Sequence, residues 1–111
     1  MDDERFEALT REHEPLVKGG WYIGTMSEIT RKGKSLIVRA EISDDDKHNY
    51  GEINGFLPLS YAKGDITDKF LEVFNHPIMF SDVIGKRCKV YVLFNIHNGK
   101  EFANIEGYEA L

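Results

Sequence analysis

The sequence predicts a mainly β domain, a five-stranded barrel in the order β-β-β-α-β-β preceded by a short N-terminal helix or tail. Three observations predict it. Several segments alternate apolar and polar residues with the period of a half-buried strand. One segment between the third and fourth of them switches to helical spacing. An Asn-Gly pair, Asn98-Gly99, separates the last two, and that pair is the strongest short signal for a tight hairpin.

A chain of 111 residues fits one domain, divided here into an N-terminal helix or flexible segment over 1–18 and a barrel over 19–111. Apolar residues at 41% and charged residues at 30% are ordinary globular values. No apolar run approaches the roughly 20 residues needed to span a bilayer. The opening Met1-Asp2-Asp3-Glu4 is acidic where a secretion signal is basic and then apolar, so a soluble, cytoplasmic protein with no membrane partner is expected. Cys88 is the single cysteine, which excludes an intramolecular disulfide and a thiolate metal cage. Within Lys86-Arg87-Cys88-Lys89-Val90-Tyr91 it reads as a buried strand residue.

The elements follow in order. Phe6 and Leu9 share a helical face, and Pro15 stops any helix there. From Gly19-Gly20 a first strand runs to about Thr30. Trp21, Ile23 and Ile29 share its core parity, Tyr22 faces out, and Gly24 reads as a bulge or bend. Arg31-Lys32-Gly33-Lys34 is a basic turn. In the second strand Leu36, Val38, Ala40 and Ile42 alternate with Ile37, Arg39, Glu41 and Ser43. After a polar loop from Asp44 to Tyr50, the residues Ile53, Leu57 and Leu59 mark a third strand with Glu52, Asn54 and Phe56 on its other face. Pro58 places its end. Ile66, Phe70, Val73 and Phe74 form one helical stripe between Asp65 as N-cap and Pro77 as stop. The fourth strand covers Lys86 to about Asn95 and the fifth about Lys100 to Tyr108. A two-residue turn at Asn98-Gly99 sets His97 against Lys100, Phe94 against Ala103, Val92 against Ile105 and Val90 against Gly107.

Five strands with a helix between the third and fourth is the layout of the oligonucleotide-binding barrel; an open α+β sheet is the competing arrangement. Such barrels hold single strands by stacking bases on aromatic rings and tracking phosphates with Lys or Arg. The usual surface spans strands 2 and 3 between the loops joining strands 1–2 and 4–5. Here it offers Ile37, Arg39 and Phe56, flanked by Arg31, Lys32 and Lys34 on one side and His97 and Lys100 on the other. Lys47 and Tyr50 lie in the loop between strands 2 and 3, and Tyr22 is the exposed aromatic of strand 1. Each has a plain counterpart. The basic residues also suit a solvated turn, and Phe56 becomes core if a bulge at Gly55 slips the strand by one. Tyr91 and Phe102 fit either a ligand or packing beneath the N-terminal helix, and with Leu93 they offer a face for protein partners or self-association.

Catalytic constellations are absent from the pattern. His13, His48, His76 and His97 fall in four segments without metal-ligand spacing, and no phosphate loop or CxxC occurs. Asp44-Asp45-Asp46 lacks the alternation and glycine of a calcium loop. A binding module rather than an enzyme is expected, with no cofactor. The net charge of −5 opposes a strongly basic nucleic-acid footprint, although basic residues cluster by element.

The strand Gly19-Gly20-Trp21-Tyr22-Ile23, the basic turn and the run Leu36-Ile37-Val38-Arg39-Ala40-Glu41-Ile42 are followed by a helix, by Ile84-Gly85-Lys86 with Cys88 and Val90-Tyr91-Val92, and by Asn98-Gly99-Lys100 with Phe102 and Asn104-Ile105. This series, over 19–108, resembles small bacteriophage and mobile-element proteins with an oligonucleotide-binding fold. The resemblance implies single-stranded DNA binding in replication or recombination of such elements.

Overall fold

The computed structural model describes residues 19–44 and 48–111, with side chains throughout except at 95–97, 100 and 101. The expected helix or tail over 1–18 and the candidate Lys47 lie outside those residues, as do the side chains of His97 and Lys100. Five strands form a closed barrel. They are β1 (Gly20–Lys32), β2 (Ser35–Ser43), β3 (Asn49–Pro58), β4 (Arg87–His97) and β5 (Lys100–Glu109), with helix α1 (Ile66–Val73) and a 3-10 turn (Phe80–Asp82) between β3 and β4. Around the barrel the order is β1-β2-β3-β5-β4, and β4 pairs back to β1. All neighbours are antiparallel except β3 and β5, which run parallel and share the pairs Asn54↔Asn104 and Gly55↔Ile105. This is an oligonucleotide-binding-like barrel, as the order of elements predicts.

Alternation drives the core. Val38, Ala40 and Ile42 of β2 point inward beside Ile53 and Leu57 of β3, Cys88, Val90 and Val92 of β4, and Ile105 and Tyr108 of β5. Burying each large aliphatic side chain contributes about 1.5–3 kcal/mol. Helix α1 closes one end: Phe70 and Phe74 are buried, and the Phe70 ring lies 4.9 Å from that of Tyr108. Thr67 fastens the helix by donating its hydroxyl to the Pro58 carbonyl at 2.7 Å. Asp65 does not cap through its side chain; it accepts from the Ala62 N–H, and Asp68 accepts from Gly64. The helix ends ahead of Pro77 because Asn75 and His76 turn left-handed, at φ 61° and 54°.

Two irregularities decide which way aromatic residues face. The ladder between β1 and β2 shifts between Met26 and Glu28, so Ser27 is an extra residue that reverses the parity of β1. Before it Gly24 and Met26 are buried, after it Ile29 is. The expectation that Trp21 and Ile23 share the core face with Ile29 therefore fails. Trp21 is 47% exposed on the outside, and Tyr22 packs against the core. Gly24 is not the bulge. It pairs with Ile42 on one side and Cys88 on the other, and a Cβ there would sit 2.8 Å from Val90 Cγ1.

The second irregularity lies in β3. Glu41 pairs with Glu52, but Ser43 pairs with Asn49, which leaves Tyr50-Gly51 as the longer side of a bulge with Gly51 at φ 85°. This swings Tyr50 inward onto Tyr22, ring centroids 5.6 Å apart. The β4–β5 hairpin forms as read, with Asn98 and Gly99 at φ 53° and 76° and His97 opposite Lys100. A shift between Tyr91 and Val92 changes its far end: Val90 faces Tyr108, and Gly107 faces Tyr91 instead.

Candidate nucleic-acid interface

The outward residues of β2, β3 and β5 build one surface. Ladder pairing sets Ile37 beside Phe56 and Arg39 beside Asn54 across β2 and β3. Across the parallel seam Asn54 lies beside Asn104. Phe56 is one step along β3 from Asn54, and Phe102 is one step the other way along β5 from Asn104, each step about 6.7 Å. A groove of about 610 Å³ opens over this arrangement, lined by Arg39, Glu52, Asn54, Phe56, Phe102 and Asn104 together with Ile53 and Ala103. Its volume lies within the range of small-ligand sites.

Phe56 is 51% exposed and Phe102 48%. The alternative in which Phe56 turns into the core does not occur, because Gly55 keeps the inward position. A Cβ at Gly55 would lie 2.5 Å from the Tyr108 hydroxyl and 3.1 Å from Ile105 Cβ, so only a glycine lets β5 approach β3 this closely.

The charge on this face is balanced. Arg39 Nη1 lies 3.6 Å from Glu28 Oε1, and Arg39 Nε donates to Asn54 Oδ1 at 3.3 Å. Ser27 donates its hydroxyl to Glu52 Oε2 at 2.7 Å, which anchors that carboxylate at the groove's edge. Arg39 thus keeps its guanidinium over the groove, oriented by one carboxylate and one amide. Such an exposed pair contributes little to stability, at most about 1 kcal/mol.

The other sequence candidates divide by position. Ile37, Arg39 and Phe56 share the groove face, and Lys32 shares its parity at the far end of β1, through the pairs Thr30↔Ile37 and Lys32↔Ser35. Arg31 has the opposite parity and folds its Nε onto the Gly33 carbonyl at 3.4 Å. Lys34 is exposed in the turn beside Gly33. Tyr22 and Tyr50 are not part of this face. They meet each other away from it, where the Tyr50 hydroxyl donates to Asp44 Oδ2 at 2.7 Å and His48 Nδ1 lies 3.0 Å from the same oxygen.

Of the second apolar set, Tyr91 is half-buried with its ring 5.1 Å from that of Trp21, Leu93 is exposed, and Phe102 belongs to the groove. Glu52, Asn54 and Asn104 are outward groove residues that the sequence reading did not assign to the interface, and Phe102 is one it set between a ligand, packing and protein partners. Their outward parity in β3 and β5 was readable; the parallel β3–β5 contact that joins them was not.

Cys88 is fully buried, and burial pushes its thiol up to about 12. Burial likewise raises the Tyr108 hydroxyl, with smaller contributions from Cys88 and Glu106. Among the described residues no group of three or more His, Cys, Asp or Glu is placed to hold a metal ion, and no helix is long and apolar enough to cross a membrane. No protein-family model matches the chain, and no curated protein matches it either.

Proposed function

We propose that the protein binds single-stranded nucleic acid, DNA foremost, without recognising a defined sequence, through the groove between Phe56 and Phe102. One observation carries the reading: two half-exposed rings flank a single groove whose floor is polar and whose rim holds an arginine. Base–aromatic stacking is worth about 1–3 kcal/mol per base and tolerates any base, while Arg39 and Lys32 on the same face suit phosphates. The likeness over 19–108 to phage and mobile-element proteins supports a role in replication or recombination of such elements. No step of this activity calls for catalysis or a cofactor.

The test is fluorescence anisotropy with labelled oligo-dT at low and moderate salt. Binding at micromolar protein is expected, weakening as salt rises with a slope of about −0.7 for each phosphate contacted. Because Arg39 is already paired with Glu28, a shallow slope of about one to two phosphates is expected. Phe56→Ala and Phe102→Ala each weaken binding by about 1–3 kcal/mol. Failure to bind, or binding indifferent to both substitutions, rejects the proposal.

A second reading, a protein-interaction or self-associating barrel, has one observation in its favour. Ile78, Met79 and Phe80, between α1 and β4, are all exposed, Ile78 at 91%, and none of them lines the groove between Phe56 and Phe102. Light scattering across a concentration series tests self-association directly, and a strict monomer removes that form of it.

A further inference from the structure

We infer that the groove carries a base subsite selective for pyrimidines over purines, with Asn54 and Asn104 as the residues that make the choice. The inference rests on the nucleic-acid reading of the same groove and adds which bases it takes. Asn54 and Asn104 are neighbours across the β3–β5 seam, and both line the floor between the two phenylalanine rings.

Their chemistry is unequal. Arg39 Nε–H can only donate, so the Asn54 atom that meets it at 3.3 Å has to be the acceptor Oδ1. That contact fixes the amide and leaves Nδ2, on the branch away from Arg39, as the group Asn54 offers the groove: a donor. Asn104 has no side-chain hydrogen bond among the described residues, so it offers both a donor and an acceptor and is free to turn its amide over.

A base resting against either ring brings its edge over this pair. Thymine and uracil present O2, N3–H and O4, which read acceptor, donor, acceptor. Cytosine presents O2, N3 and the 4-amino group, which read acceptor, acceptor, donor. Both offer O2 to the fixed Asn54 donor. The remaining two positions are donor–acceptor in one case and acceptor–donor in the other, and a carboxamide that can flip matches either.

Purines fill at most two of the three positions: a Hoogsteen edge presents only N7 beside O6 or the 6-amino group, and the Watson–Crick edge mismatches. Guanine offers O6 to Asn54 but then two donors, N1–H and the 2-amino group, against the single acceptor of Asn104. Adenine satisfies Asn104 through N1 and its 6-amino group but turns C2–H to the Asn54 donor. Stacking alone would rank the larger purines at least level with pyrimidines, so the two causes predict opposite orders.

The experiment uses the full chain and oligonucleotides that carry one T, C, A or G flanked by abasic residues, which removes stacking between neighbouring bases. Binding is read by anisotropy in competition with labelled oligo-dT. T and C are expected to compete about tenfold better than A and G, the scale of one good edge contact. Asn104→Leu should abolish the tenfold gap between the pyrimidines and the purines, with a thermal melt verifying that the variant is folded. Equal competition by all four bases, or a purine preference, overturns the subsite while leaving the groove as a binding site. Absence of binding to labelled oligo-dT overturns both readings. Pyrimidine preference that survives in folded Asn104→Leu overturns the assignment to these residues.

Discussion

Position 55 has to be glycine because of a hydroxyl more than fifty residues away in sequence but adjacent in space: the Tyr108 oxygen occupies the volume a Cβ would take. That oxygen is buried and has no hydrogen-bond partner among the described residues. An orphaned buried hydroxyl costs about 1–3 kcal/mol relative to a satisfied one. Tyr108→Phe is therefore expected to leave stability unchanged or raise it by about 1 kcal/mol, read from urea denaturation. Gly55→Ala is expected to lose about 1–3 kcal/mol through overpacking. In the double variant the missing hydroxyl makes room for the new methyl, so the two changes should couple favourably rather than add. Additive losses would show that the strain comes from Ile105 instead. Inward parity at Gly55 was readable from the sequence, but the identity of the atom above it depends on the parallel β3–β5 approach, which alternation within single strands does not encode.

At the scale of elements, Ser27 is an inserted residue: it contributes no core side chain and separates the pairs Met26↔Ala40 and Glu28↔Arg39, which would otherwise be consecutive. Deleting it leaves Met26 and Ile29 two residues apart, still on one face of a regular ladder, and removes the bend together with the hydroxyl's hydrogen bonds to the Arg39 carbonyl and Glu52. A retained fold with a loss of about 1–3 kcal/mol is expected on deletion, and no more than about 1 kcal/mol for Ser27→Ala, which keeps the bulge. Circular dichroism with denaturant titration measures both, and an unfolded deletion variant would show that the barrel needs the bend itself.

This bulge also explains where the sequence misled. Strands β2, β4 and β5, the hairpin at Asn98-Gly99 and the helical stripe were legible because periodicity and turn chemistry are local. Trp21 and Tyr22 were interchanged because Ser27 carries no glycine or proline to mark the extra residue. Tyr50 was taken for a loop ligand although Gly51, beside it, is the kind of residue that permits such a bulge. Of the candidate site, Ile37, Arg39 and Phe56 came together as expected, since they follow from alternation alone.

For the whole molecule, the two buried acids set an alkaline limit. The folded chain holds Cys88 protonated up to about 12, whereas the unfolded chain releases that proton near pH 9.0. Between those values the unfolded state binds fewer protons, so stability falls as pH rises, on the order of 1 kcal/mol per pH unit for each group. Tyr108, raised in the same direction from 10.0, adds to the slope above pH 10.0. Below pH 9.0 both groups are protonated in either state and contribute no pH dependence. Urea midpoints taken from pH 8 to 11 should decline beyond pH 9, and Cys88→Ala should flatten the first part of the decline. The same burial predicts that the native protein resists thiol reagents at neutral pH and reacts once unfolded.

The barrel is fastened shut along a single short line, the two parallel pairs that join β3 to β5, while its other junctions run along most of a strand's length. The groove lies directly over that line, with one wall on each side of it. Anything gripping Asn54 and Phe56 on one bank and Phe102 and Asn104 on the other acts as a clasp. Occupancy should then slow amide exchange along β3 and β5 well beyond the contacted residues, whereas a ligand held on only one bank would protect that bank alone.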